Sequence, residues 1–472
     1  YTDSDKAKVG LLGLSVADYG VLPSATATTN SDGLDTAITA AVAANKALYW
    51  PEGEYEIIRK PIFKTGLTMI DSSFGNVIVK FSDSADDDES MFCGPFAGDA
   101  SEALVENVTI VGFTLDGNYA RNSGNIGTLR PGGSGAGGGY IKDWTFWYTK
   151  AHSFKLHCFD ISNGGEDALG DRDYTEGDNT HPSSLRSTGV RLIGCEAWNA
   201  GDDNFTVHFA DYWLILNCKS HSIGGRHPSL NGSVLFEVDD GAGPGRINGC
   251  EAIGPASTGI AVKCHDGDPA PYGVTVENSE VRGCARGVYV NDPNTGGPSA
   301  SAIDVTINNV HVREPAFFDK PVIALKSDTD ITGFDVGEYE GVSVTNCTAT
   351  GTGLFLTESY IQDSTSYDRQ TESAFNFESA SRFICANNKA INWGSDNSSD
   401  AGVGGFKFTS TTNGTTVGNL SIDCGWRGFI DSGGNTSSTI SNNLAVLRTA
   451  VSASDTAFRI SNDADDEPTN FT

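Results

Sequence analysis

The chain has 472 residues, with 31 Lys and Arg against 61 Asp and Glu, and a formal net charge of −30. Charged residues at 19% and hydrophobic residues at 38% are too balanced a mixture for a disordered chain, and no apolar run approaches the roughly 18 residues that span a bilayer. The acidic surplus argues against nucleic acid and against membrane insertion or anionic membrane surfaces, because polyphosphates and anionic lipids are held by concentrated Lys and Arg.

The chain opens Tyr1-Thr2-Asp3 with no initiator Met, so a mature or truncated form is expected and no targeting signal is read. Leu34 to Lys46 carries apolar residues at helical spacing, with Ser31-Asp32 as its N-cap. Ala47 to Ile57 reads as strand, turn, strand. An open solenoid end exposes a sheet edge and an apolar face, and a helix followed by a strand seals it. Residues 1–60 are therefore assigned to an N-terminal cap.

From there a short unit recurs: an alternating β-branched run, a turn at Asn or Gly, then a second short run. Copies include Asn107 to Asn118, Gly189 to Ala197, Tyr212 to Ser220, Gly245 to Ala252, Gly273 to Val281, Ile303 to Val312, Val342 to Ala349 and Thr439 to Val446. Cys195, Cys218, Cys250 and Cys347 hold one place in their units. Their gaps suit one, one and about three coils of a solenoid, stacked at roughly 4.8 Å. The fold expected is all-β: a single-stranded right-handed parallel β-helix over 61–472, with Cys, Val and Ile stacked inward and Asn at the corners. Ten Cys without a C-x-x-C pair read as buried free thiols made in a reducing compartment.

Acid–base candidates concentrate between residues 157 and 268. Asp202-Asp203 follows Ala200-Gly201 and enters Phe205-Thr-Val-His208; Asp239-Asp240 repeats the arrangement one coil later. Paired carboxylates with His nearby are what glycosidic acid–base chemistry needs. Catalytic candidates are Asp202, Asp203, Asp239, Asp240 and His208, with at least one side chain of each pair expected on the outer surface of the coil. Each pair also suits an exposed turn or a Ca²⁺ ligand; no cofactor is expected beyond weak divalent-cation binding. Gly127 to Gly139 lacks the ending of a phosphate loop and reads as a surface loop. Trp144, Phe146, Trp147 and Tyr148 either stack on sugars or cover the coil, and Trp198, Tyr212 and Trp213 divide the same way.

Ser15-Val-Ala-Asp-Tyr-Gly20, the helical stretch and Leu48-Tyr-Trp-Pro-Glu-Gly-Glu-Tyr55 resemble the N-terminal signature of the pectate-lyase superfamily of parallel β-helices. The stretch from His157-Cys-Phe-Asp160 to Tyr272, with Tyr174 to Asp178, Gly201-Asp-Asp203, Val238-Asp-Asp-Gly241 and Val262-Lys-Cys-His265, is similar to a group of phage tailspike and tail-fibre depolymerases. Gly201-Asp202-Asp203 also matches the carboxylate pair of polygalacturonases. His221 to His227 falls where those enzymes carry Gly-His-Gly, and Gly259 to Lys263 where they carry Arg-x-Lys, but Ala261 replaces the Arg. Plain polygalacturonate is thus not the expected substrate.

The resemblance implies a tailspike-like depolymerase that hydrolyses a bacterial surface polysaccharide. It implies Asp178, Arg226, His227, Glu237, Lys263, His265 and Trp213 as substrate-binding residues, and a homotrimer attached to phage tail proteins in the virion tail. The alternatives are a polysaccharide lyase using His208 or Lys263 as base, a non-catalytic adhesin, and a secreted pectinase-like enzyme.

Overall fold

The computed structural model describes residues 13–73, 75–85, 90–95, 104–118, 140–154, 157–162, 186–221, 234–264, 269–291, 304–313, 332–337, 339–351, 373–391, 393, 404–424, 427–432, 434–446 and 456–461. The chain divides into two compact units, residues 1–227 and 228–472. Each is a stack of coils whose strands pair in parallel with their counterparts in the next coil. Among the described residues no helix follows residue 60, and none is long and apolar enough to cross a membrane.

The first unit begins with an α-helix, α1 (Ala27–Ala43), which buries Leu34, Ala37, Ile38 and Ala41. It packs against the strands Gly13–Ser15, Ala47–Trp50 and Gly53–Ile57, as the cap assignment requires. Its start differs from the expected one. The N-cap is Thr26, whose hydroxyl accepts from the Thr29 N–H at 3.2 Å. Ser31 bonds elsewhere. Its Oγ accepts from the Ile58 N–H, while Asn30 bonds the Leu22 N–H and the Glu56 carbonyl. Gly33 allows the close approach here, since a Cβ would stand 2.6 Å from the Tyr19 carbonyl oxygen.

Above the cap, each coil of the first unit has up to three main faces. The first face carries Thr68–Asp71, Thr109–Val111, Thr145–Trp147, Arg191–Ile193 and Trp213–Leu216 in register. The second carries Val77–Phe81, Thr114–Asp116, Lys150–His152, Glu196–Trp198 and Lys219–His221. The third pairs Phe159–Ile161 with Phe205–Val207. In the second unit, Glu251–Lys263 and Glu280–Asn291 are long enough to run along two faces, with a register shift between Ile253 and Ala256.

The alternation of two residues explains both core and corners. Phe334, Phe375, Phe406 and Phe429 occupy one register position of the second unit and stack with centroids 4.7, 4.7 and 4.8 Å apart. Corners are turned by Asn217, Asn278, Asn309, Asn346, Asn387 and Asn442, all at φ between 52° and 56°, where Asn is better tolerated than bulkier side chains. They also bond along the stack: Asn309 Nδ2 donates to Asn278 Oδ1 at 2.8 Å, and Asn278 Nδ2 to Asn248 Oδ1 at 3.2 Å. The gap from Cys250 to Cys347 resolves into three coil steps, through Ser279 and Val310, whose carbonyls bond the following coils.

All ten Cys are buried thiols. Burial pushes the Cys284 and Cys347 thiols up from 9.0 to about 12. A thiol neutral when folded and ionised when unfolded contributes stability below pH 9 that is lost as pH rises from 9 toward 12. Denaturant midpoints measured across that range should fall with pH. Alkylation at pH 8 should be negligible until the chain is unfolded.

Candidate functional site

The third face of the first unit holds the site. Phe159 and Phe205 point inward and stack at 4.9 Å, which turns the intervening Asp160 and Thr206, paired in register, outward. Outward residues of a solenoid usually meet solvent, yet Asp160 and Thr206 are buried. Around them stand His157, Asp203 and His208, buried too, and Asp202.

His157, 2% exposed, is the centre. Its Nδ1 lies 3.4 Å from Asp160 Oδ2, and its Nε2 lies 3.7 Å from both Asp202 Oδ2 and Asp203 Oδ2. Burial opposes its charge, but Asp160 and Asp202 outweigh that and lift the imidazole from 6.5 to about 9. At neutral pH it is an imidazolium held among three carboxylates. His208 is tilted beside it at 5.8 Å between rings, and its Nε2 lies 2.8 Å from Thr206 Oγ1.

The expectation of at least one outward side chain in each Asp pair agrees with the open Asp202 in the first pair, while both members of the second pair are enclosed. Asp203 is 3% exposed, and Asp239 and Asp240 are buried as well; only the Asp202 side chain is open, at 35%. The cause is bonding at the strand ends: Asp203 packs beside His157, while Asp239 accepts from Lys263 Nζ at 3.0 Å and from the Asp240 N–H at 2.7 Å.

Asp202, Asp203 and His208 belong to the first unit; Asp239, Asp240, Glu237 and Lys263 belong to the second. There Lys263 Nζ joins Glu237 Oε1 at 2.9 Å to Asp239. Asp178, Arg226, His227 and His265 lie outside the described residues. Trp213 is not a substrate contact. It is 2% exposed and starts the strand Trp213–Leu216 on its inward register, and the exposed ring is its neighbour Tyr212. Trp144 and Phe146 are likewise core, while Trp147 and Tyr148 are exposed.

Two groups escape a reading of the sequence. His157 and Asp160 lie some 45 residues before Asp202-Asp203, and the pairing of Phe159–Ile161 with Phe205–Val207 brings them together. In the second unit, the Arg286 guanidinium lies over Tyr289 at 4.4 Å and near Asp335 at 3.6 Å, and Asn376 Nδ2 donates to Asp335 Oδ1 at 3.1 Å. Tyr289, Asp335 and Asn376 share one register row across successive coils. Burial raises the Tyr289 hydroxyl above its ordinary range.

No protein-family profile matches the chain. The pre-neck appendage proteins of Bacillus phages PZA and phi29 are each 30% identical to it over 288 residues, which cover 56% of this chain and 29% of the relative. The chain thus spans less than a third of the length of the curated relatives it matches. The crystal structure of the pre-mature bacteriophage phi29 gene product 12 aligns with a TM-score of 0.74 at 21% identity, over 97% of this chain and 56% of that one. The tailspike of E. coli bacteriophage HK620 aligns at 0.56 and 12% identity, over 96% and 79%. PfbA, a surface adhesin of Streptococcus pneumoniae, aligns at 0.54 and 13%, over 96% and 94%. At such identities the structures show a shared fold alone. The chain is homologous to phage pre-neck appendage proteins, and its coils are the parallel β-helix that a phage tailspike also has.

Proposed function

We propose that this chain is the polymer-handling part of a phage virion appendage, and that it binds and hydrolyses a bacterial surface polysaccharide. The observation that carries the reading is the cluster of His157, Asp160, Asp202 and Asp203 on the outer side of the third face, buried except at Asp202. Asp202, the carboxylate open to solvent, acts on the polymer, and Asp203 is its partner carboxylate. His157 fixes both from behind. Acid–base hydrolysis needs two carboxylates in unlike surroundings, and one here is open while the other is enclosed.

Asp239 and Asp240 take no part in proton transfer in this reading, because Asp239 is bonded to Lys263 and to the Asp240 N–H. The same ion pairs disfavour Lys263 as the base of a lyase. The row Tyr289, Asp335 and Asn376, with Arg286 over the ring, suits polymer binding. The test is to incubate the protein with polysaccharides from candidate hosts and follow new reducing ends beside binding. Tight binding with no new ends on any polymer that binds would make the chain an adhesin.

In the same reading the chain forms a homotrimer that joins phage tail proteins. On the first face of the first unit, Ile70, Val111, Trp147, Ile193 and Leu216 form an outward apolar row through five coils. The matching row of the second unit is Asn248, Glu277, Asn308 and Thr345. An apolar stripe on an otherwise acidic chain suits burial against copies of itself. Light scattering should return three times the chain mass, and Trp147→Asp with Ile193→Asp should return the monomer.

A further inference from the structure

We propose that His157, Asp202 and Asp203 bind a divalent transition-metal ion, such as Mn²⁺ or Zn²⁺. One nitrogen and two carboxylate oxygens converge there within 4.8 Å of one another. The 3.7 Å from Nε2 to each oxygen is too long for a hydrogen bond. It suits an ion, because bonds of about 2.0–2.2 Å at angles of about 90–120° hold ligand atoms roughly 3–3.8 Å apart.

A second observation is independent of the donor spacing. The far nitrogen of the ring, Nδ1, faces Asp160 Oδ2 at 3.4 Å, and both groups are buried. A carboxylate behind a histidine is the usual support of a metal-binding imidazole: it sets the ring orientation and leaves the other nitrogen aimed at the ion. Here that nitrogen is aimed at Asp202 and Asp203. Three carboxylates against one imidazole also leave the cluster net negative in a place poor in solvent, and a divalent ion offsets that.

The ion takes the place of the Nε2 proton. A mixed nitrogen and oxygen set points away from Ca²⁺ and Mg²⁺, which take oxygen ligands. Asp202, open at 35%, provides the path in and leaves room for water in the remaining positions. The consequence for chemistry rests on the hydrolytic reading above and alters it: with an ion bound, Asp202 and Asp203 would hold the ion instead of serving as acid and base, and the ion would supply activation of water beside the polymer. The binding itself does not rest on it.

The experiment uses the full chain stripped with chelator and titrated with Mn²⁺, following the solution EPR signal of free Mn²⁺, an ion with little affinity for thiols. The expected result is a single bound ion per chain. Asp202→Asn, at an open position that leaves folding intact, should weaken binding at least about 100-fold, as should His157→Gln. Asp160→Asn, which acts through the ring, should weaken it about 10–100-fold. Glu54→Gln, on an exposed strand residue of the cap, should bind as wild type. A wild-type chain that leaves the Mn²⁺ signal at full height would overturn the inference, as would unchanged binding in both Asp202→Asn and His157→Gln. Ion binding without polymer cleavage would sink the hydrolytic reading alone. Cleavage by a chain that binds no ion would sink this inference alone.

Discussion

Asp202→Asn should slow polymer cleavage by about 10²–10⁴-fold, the range that a positioned acid or base contributes, and lower the melting temperature modestly, because Asp202 is one of the counter-charges of the buried His157 imidazolium. The swap keeps shape and hydrogen bonding and removes the proton transfer at a side chain that is 35% open. Asp203→Asn should lose the same activity and melt lower still, because Asp203 is itself buried beside His157, where solvent cannot replace a lost partner. Turnover, polymer binding and thermal melts on the two variants separate chemistry from structure. If both variants keep near-native turnover, the carboxylates of this cluster are not the acid and base.

Phe375→Ala should cost about 3–5 kcal/mol, the range for removing a fully buried aromatic ring. Phe375 stacks on Phe334 at an interplanar angle of 2° and on Phe406 at 9°, and is fully buried. Its removal breaks two stacked pairs, each worth about 0.5–1.5 kcal/mol beyond area burial, and leaves a cavity bounded by neighbouring coils that cannot collapse independently. Phe375→Leu refills most of that volume and should cost less than half as much. Denaturant unfolding of both variants checks the order. Equal, small losses would mean that the ladder is packed loosely and the coil register is not held by these rings.

The coil architecture is legible in the sequence because it is written locally. Period-two runs such as Val305 to Asn308, closed by an Asn at positive φ, state both which side chains point inward and where the corner falls. The helix start is not legible, because Ser31 has the chemistry of a cap but bonds to Ile58, a partner 27 residues away. Trp213 misleads for a related reason. In Trp213–Leu216 both alternating sets are apolar, so the pattern does not say which faces inward; the left-handed corner at Tyr212, φ 55°, decides it.

At the site, Asp202-Asp203 stands out as adjacent carboxylates after Gly201. His157 and Asp160 do not, because their meeting with that pair depends on the register of two strands paired between neighbouring coils. The row of Tyr289, Asp335 and Asn376 is hidden likewise: its members are 46 and 41 residues apart in the chain and neighbours only in the stack. Local alternation reveals a solenoid, but its outer sites are assembled by coil lengths, and those vary here with the loops between strands.

If the chain cuts a surface polymer by adding water across a glycosidic bond, the oxygen of that water must appear in the products. Mass spectrometry of the fragments formed from a bound host polysaccharide in heavy-oxygen water reads this directly. Saturated fragments with one heavy oxygen at each new reducing end are expected, formed by wild type and not by Asp202→Asn. Fragments with unsaturated ends that absorb in the ultraviolet and carry no heavy oxygen would contradict the hydrolytic reading, and so would polymer recovered intact after tight binding.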